Sequence, residues 1–388
     1  MPEQLEWDFE RFKREWPRDL AAHVREAYRI DLTARYLGET LPHPIGKGSG
    51  QLSLSAGQLE DDASAGLAFV VLKTLIAEDE TGARTMAAWA VHETKMKVEA
   101  RRAADGRDGW TVTWKGRGWD RSLADYLALV RAGRDLTRAG RLLVVPSVKY
   151  HLPRLDEAFR DAEYRHTTAA LAAAWGEKEP PLLLEKDFSP TLAGDPLADD
   201  RAQILRWLGE VPHRIRAASP LPVKVAVKLM NARFDDTFQV EMMQATRDAD
   251  ALVCFNRLFD TQRDVAYGGW DLSDRNLRVL NFYRPLPTST DRYRLLVGTG
   301  NICSGRMILE YASRGCESVQ LHTFFQLPLA EYPATYGSRS QRALHALVFH
   351  PEHGLIAGMR DLEARGTLDR RNGELHFLDV SSHAHRAS

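Results

Sequence analysis

The sequence predicts an α/β protein built as a (β/α)8 TIM barrel with an N-terminal helical extension, and three observations predict it. Seven short apolar runs recur with little polar alternation, the pattern of strands covered on both faces. Amphipathic stretches of helical length lie between them. Near the C-terminal end, a strand halts at Gly298-Thr299-Gly300, gives way to a helical pattern, and is followed by a strand ending in His322-Thr323.

In order, residues 1–44 read as one or two short amphipathic helices, "DLAAHVREAYRI" being the clearest, closed by the Pro/Gly-rich "LPHPIGKGSG". A first strand is expected near "GQLSLSAG". The other strands are "GLAFVVLKT", "RLLVVPSV", "PPLLLEKDFSP", "VKVAVKLM", "DALVCFN", "YRLLVGTG" and "ESVQLHT". Helices between them include "SLADYLALVRAGRDLTRAG", "LDEAFRDAEYRHTTAALAAAW", "DDRAQILRWLGEV", "TFQVEMMQATRDA" and "SGRMILEYASRG". Eight strands separated by amphipathic helices favour a barrel over an open sheet. The barrel is expected over 45–330, with C-terminal helices and a tail, 331–388, packing on it.

Composition narrows the class. The 388 residues are 44% hydrophobic and 27% charged, enough for a large core. The 52 basic residues nearly balance the 53 acidic ones, and no long basic block occurs, so no nucleic-acid partner is expected. Three cysteines without a C-x-x-C pair argue against a zinc site, an iron–sulfur cluster or a disulfide framework. Neither a signal core nor a membrane-length apolar run is present, and "EWDFERFKREW" spreads charge around the whole first helix. A cytoplasmic enzyme is expected, with the extension capping the barrel or joining two subunits of a homodimer. The tail histidines, without further ligands, read as a disordered end and not a metal site.

In a barrel the chemistry sits where strands end. Those ends carry Ser55-Ala56-Gly57, Lys73-Thr74, Ser147, Lys186-Asp187, Lys228, Asn256, Gly298-Thr299-Gly300 and His322-Thr323. A lysine ending a buried strand is costly unless it meets an anion, and three of them imply a strongly anionic guest. Two glycines at a strand end with a helix starting behind them suit a phosphate, although a tight turn without a ligand would use the same residues.

These strand ends, in this order, resemble the dihydroorotate dehydrogenase family, barrels that carry FMN. The resemblance runs from about Ser55 to Phe325 and is firmest in the second half. There "PVKVAVKLMNARFDD", "ADALVCFN", "GGWDLSDRNLRVL" and "LLVGTGNICSGRMILEYASRGCESVQLHT" follow the family's order. It implies FMN bound by Ala56, Gly57, Lys73, Thr74, Lys228, Gly268, Gly269, Gly298, Gly300, His322 and Thr323. Substrate would meet Asn256, Lys186, Thr191, Lys115 and Trp114. Ser189 would be the base that takes a proton while hydride passes to flavin N5, with Lys73 and Lys228 stabilising charge on the reduced flavin.

The chain also departs from the family. The loop that reads N-x-S-C/S-P-N there reads Lys186-Asp187-Phe188-Ser189-Pro190-Thr191 here, and Thr113-Trp114-Lys115-Gly116 replaces a second asparagine loop. Of four asparagines that grip orotate, only Asn256 stands. A site built on such hydrogen bonds rejects a ligand once they are gone. The expectation is therefore an FMN-dependent oxidoreductase acting on a CH–CH or C=C bond of a small anionic molecule other than dihydroorotate. The alternatives are a phosphate-binding barrel lyase or isomerase without flavin, and a flavin-binding subunit without catalysis.

Overall fold

The computed structural model describes residues 2–87, 96–102, 108–114, 118–188, 200–232, 235–260, 265–269, 272–283 and 294–386. Its centre is a curled sheet of ten strands, parallel throughout. The order is Leu75–Ile76, Ser147–Lys149, Leu182–Asp187, Val223–Lys228, Ala251–Cys254, Leu295–Thr299, Cys316–Leu321, Ile45–Lys47, Phe69–Val71 and Leu143–Val145. Every residue of Leu182–Asp187 and of Phe69–Val71 is buried, as helices on one face and the interior of the curl on the other require. Apolar side chains such as Val70, Val144, Leu183, Val225, Leu252 and Val297 are inaccessible. Each contributes about 1.5–3 kcal/mol through its removal from water.

The helices form where capping residues start them. Ser122 accepts from Asp125 N at the head of Leu123–Arg138, Asp200 from Gln203 N before Arg201–Ala218, and Ser304 from Met307 N before Gly305–Ala312. Asp161–Trp175 begins later than its apolar pattern predicts, since Leu155 is half exposed and the six residues before the helix run as loop.

The first strand is not at "GQLSLSAG". It is Ile45–Lys47, inside the Pro/Gly-rich stretch expected to close the N-terminal helices, and Ala56–Ala65 is a helix capped by Ser55. Gly46 disguises the strand: a Cβ there would lie 2.2 Å from the Phe69 ring of the neighbouring strand, so packing demands the residue that reads as a breaker.

The first 44 residues hold two helices, Pro2–Arg11 and Leu20–Tyr28, and also a hairpin, Ala34–Tyr36 with Glu39–Leu41. The hairpin turns through Leu37 and Gly38, both at positive φ, and delivers the wholly buried Tyr36 onto Phe69, ring centroids 4.5 Å apart. The tail is ordered through residue 386. Leu375–His376 pairs in parallel with Ile30–Asp31, and Phe377–Arg386 is a helix, so the expectation of a disordered end does not hold. Among the described residues no helix is long and apolar enough to cross a membrane.

A second, antiparallel sheet orders Leu258–Asp260, Val265–Gly269, Asp108–Trp114 and Met96–Arg102. Its strands belong to the connections that leave Leu75–Ile76 and Ala251–Cys254.

Candidate functional site

The C-terminal ends of the parallel strands surround a polar cleft of about 780 Å³, its opening to solvent included. Three turns supply backbone to its wall: Gly48-Ser49-Gly50, Thr299-Gly300-Asn301-Ile302, and His322-Thr323-Phe324. Lys73, Thr74, Asp187, Lys228, Asn256, Arg257 and Gln320 supply side chains. Three of these carry positive charge and one negative.

Parity along Leu182–Asp187 decides which charges face inward. Glu185 and Asp187 point into the curl. Asp187 Oδ2 lies 3.0 Å from Lys149 Nζ, and Asp187 Oδ1 accepts from Asn256 Nδ2 at 3.1 Å. Thr74 Oγ1 sits 3.5 Å from Oδ2 and is within hydrogen-bond distance of Ser49 Oγ and Ser147 Oγ. Burial pushes the Asp187 carboxyl up, but Lys149, Lys228 and Arg257 outweigh it and bring it down to about 2.

Below this layer, Glu185 Oε2 accepts from Gln320 Nε2 at 2.6 Å and from Tyr36 Oη at 3.4 Å. Gln320 Oε1 accepts from Lys228 Nζ at 3.3 Å, and Glu185 Oε1 is 3.8 Å from that same ammonium. Burial raises the Glu185 carboxyl, opposed by Lys228. The N-terminal hairpin thus reaches the cleft through Tyr36 and Gln320.

Lys186, expected at the substrate, is on the opposite parity. It is fully buried, donates to its neighbour Asp187 O at 3.1 Å and lies over the Phe188 ring. Burial and then the charge of Lys149 hold its amine well below the usual lysine range. Asp187 occupies the inward place expected of Lys186, and Lys149, two residues beyond Ser147, is the buried cation that sequence reasoning missed.

The structure brings Lys73, Thr74, Lys228, Asn256, Gly300, His322 and Thr323 to one cleft. Ala56 and Gly57 are exposed in the first turn of Ala56–Ala65 and do not line it. Gly48 and Gly50 hold that wall instead. A Cβ on Gly50 would stand 1.8 Å from His322 Nε2, so only glycine lets this strand end pass the imidazole. Gly268 and Gly269, expected as a loop along the cofactor, lie instead in a strand paired with Val112 and Thr111.

The glycine turn splits in two. At Gly298 a Cβ would lie 2.6 Å from the Tyr311 ring, so this glycine answers to helix packing. Gly300, at φ 106°, lines the cleft. Thr299 O accepts from Asn276 Nδ2, Tyr311 Oη and Phe255 N, and Gly300 O accepts from Tyr311 Oη at 2.8 Å. In a trans peptide the N–H opposes the C=O, so the amides of Gly300 and Asn301 point away from the Tyr311 hydroxyl that their carbonyl partners accept from. The start of Gly305–Ala312 takes no part: Ser304 caps Met307 N, and Arg306 N donates to His353 O. An anion here meets the turn, not the helix dipole.

His322 is held well below the usual imidazole range, by burial first and by the charges of Lys228, Lys73, Arg257 and Lys47 after it. It is neutral at neutral pH. Trp119 does not reach the cleft. It is buried against Tyr126, ring centroids 5.2 Å apart, and its backbone N–H donates to Thr74 O at 2.7 Å, anchoring the connection to the strand end. Trp114 closes the strand Asp108–Trp114, while Lys115, Ser189 and Thr191 lie outside the described residues.

No family model matches this sequence, and no curated protein resembles it significantly.

Proposed function

We propose that the curled sheet is a (β/α)8 barrel carrying FMN and that the chain is an oxidoreductase of the dihydroorotate dehydrogenase-like kind. Its reaction would be dehydrogenation of a CH–CH bond, or reduction of a C=C bond, in a small anionic substrate other than dihydroorotate. Closure of the barrel rests on the two ends of the strand order. Leu143–Val145 and Ser147–Lys149 are one strand bent at Pro146, and Phe69–Val71 continues into Leu75–Ile76. Counted so, ten segments make eight positions, and the order returns on itself.

The observation that carries the functional reading is the charge of the cleft: among the described residues Lys73, Lys228 and Arg257 stand against Asp187, in a site walled by three backbone turns. FMN fits it at both ends. Its phosphate would lie by Gly300, Asn301 and Thr323, where backbone amides and nearby cations suit a dianion. Its ring would lie along Lys73, Thr74 and Lys228. FMN, when bound, supplies a two-electron donor and acceptor.

The chain's own residues do the rest. Lys228, held by Gln320 and Glu185, keeps a fixed positive charge beside the ring. Thr74 and Asn256 are tied to Asp187, so the substrate meets groups already oriented. Asp187, ionised through the working pH range, orients and does not exchange protons. Ser189, one residue past Phe188, remains the proposed base. Dihydroorotate is disfavoured because Asn256 stands alone where the family has four asparagines.

The test is the visible spectrum of the purified protein and the identity of the chromophore released on denaturation. Two flavin bands and free FMN support the proposal. A colourless protein that takes up no added FMN overturns it.

A further inference from the structure

Four buried side chains, Lys228, Gln320, Glu185 and Tyr36, form a chain whose hydrogen-bond directions chemistry fixes. An ammonium only donates, so the Gln320 oxygen must be the end that Lys228 Nζ meets at 3.3 Å. The Gln320 nitrogen then faces the other way, donating to Glu185 Oε2 at 2.6 Å and to Tyr36 Oη at 3.2 Å. Accepting from Gln320, the Tyr36 hydroxyl gives its own proton to Glu185 Oε2 at 3.4 Å. The second carboxylate oxygen, Oε1, has no hydrogen-bond partner among the described residues and lies 3.8 Å from Lys228 Nζ. Each member of the chain thus meets Glu185 as a donor, which suits a carboxylate and not a carboxylic acid. Lys228 and Gln320 line the cleft, and Glu185, inaccessible to solvent, meets it through them.

We propose that Glu185 is a positioning residue that sets how readily a flavin in the cleft accepts electrons, by holding Lys228 and cancelling part of its charge. This rests on the reading of the cleft as an FMN site. Two electrons and one proton add one negative charge to a flavin ring, and a cation beside the ring favours that gain. A carboxylate 3.8 Å from the cation opposes it, and burial keeps water from screening either charge. Glu185 therefore holds the flavin at a lower reduction potential than Lys228 alone would give.

The test is the midpoint potential of the full-length protein loaded with FMN, read by anaerobic dithionite titration against a two-electron reference dye. In Glu185→Gln, which keeps the shape and removes the charge, the equilibrium constant for reduction is expected to rise at least tenfold, about 30 mV for a two-electron couple. Glu185→Asp, which keeps the charge, is expected to stay within threefold of the wild type. A merely structural Glu185 would lower the stability of both variants and move neither potential. In Glu185→Gln a rise below tenfold, or a fall, overturns the inference and leaves the FMN reading standing, as does an equal rise in Glu185→Asp. A wild type that binds no FMN overturns both. If Glu185→Gln does not fold, Glu185→Met, of similar volume, is read against the same threshold.

Discussion

Lys149 and Asp187 meet at 3.0 Å inside the curled sheet, each more than nine-tenths buried, and from this contact Asp187 reaches on to Asn256 and Thr74. A pair so placed is held by mutual dependence. Neither charge is stable there alone, and removing one partner of a buried pair costs about 3–5 kcal/mol. Lys149→Met is therefore expected to lower the urea-unfolding free energy by about that amount. A loss under about 1 kcal/mol would show that Asp187 finds another counter-charge.

The same contact sets an acid limit. The Asp187 carboxyl sits at about 2 in the folded chain, against an ordinary value near 4 when unfolded. A depressed carboxyl contributes stability that is fully present above the unfolded value and is lost as pH falls through the folded one. The contribution is about 2–3 kcal/mol. The stability difference between wild type and Asp187→Asn, followed by urea unfolding, is expected to be constant above about pH 5 and to shrink between about pH 4 and 2. A difference unchanged down to pH 2 contradicts the assignment.

Most of the strands and helices were legible because their apolar runs and Ser or Asp caps are local signals. The misses have physical causes. Gly46 hid a strand because contact with Phe69, a long-range fact, put a glycine where a strand former would stand. Lys186 was chosen over Asp187 because spacing gives a strand's alternation but not its phase, which partners across the sheet fix. Lys149 was hidden because the apolar run stops at Val148, one residue short of the end of Ser147–Lys149. Gly298 and Gly300 look alike in sequence, yet one faces the Tyr311 ring and the other the cleft.

Two glycines separate the sequence expectation from the structure. A Cβ at Gly57 meets nothing within 4 Å, so Gly57→Ala is expected to leave FMN affinity unchanged and to stabilise by about 0.5–1 kcal/mol, as alanine does in a helix. Gly50→Ala drives a methyl into His322. Thermal unfolding should show a loss of about 1–3 kcal/mol, with FMN affinity down at least tenfold. Equal effects of the two changes on FMN binding would return Gly57 to the site.

Lys228 faces Glu185 as well as the cleft. Lys228→Met leaves Glu185 buried without its nearest cation, so both stability and FMN affinity should fall, the latter about 10- to 100-fold. In Lys228→Met with Glu185→Gln, stability should recover while FMN affinity does not. Recovery of both would make Lys228 a structural counter-ion only.

The most direct measurement is a fluorescence titration of the flavin-free protein with FMN and, separately, with riboflavin. The two share the ring and differ in the phosphate, which would lie at Gly300, Asn301 and Thr323 among the cations of the cleft. Saturable one-to-one FMN binding, at least 100-fold tighter than riboflavin, is expected. Equal affinities, or no binding of either, would contradict it.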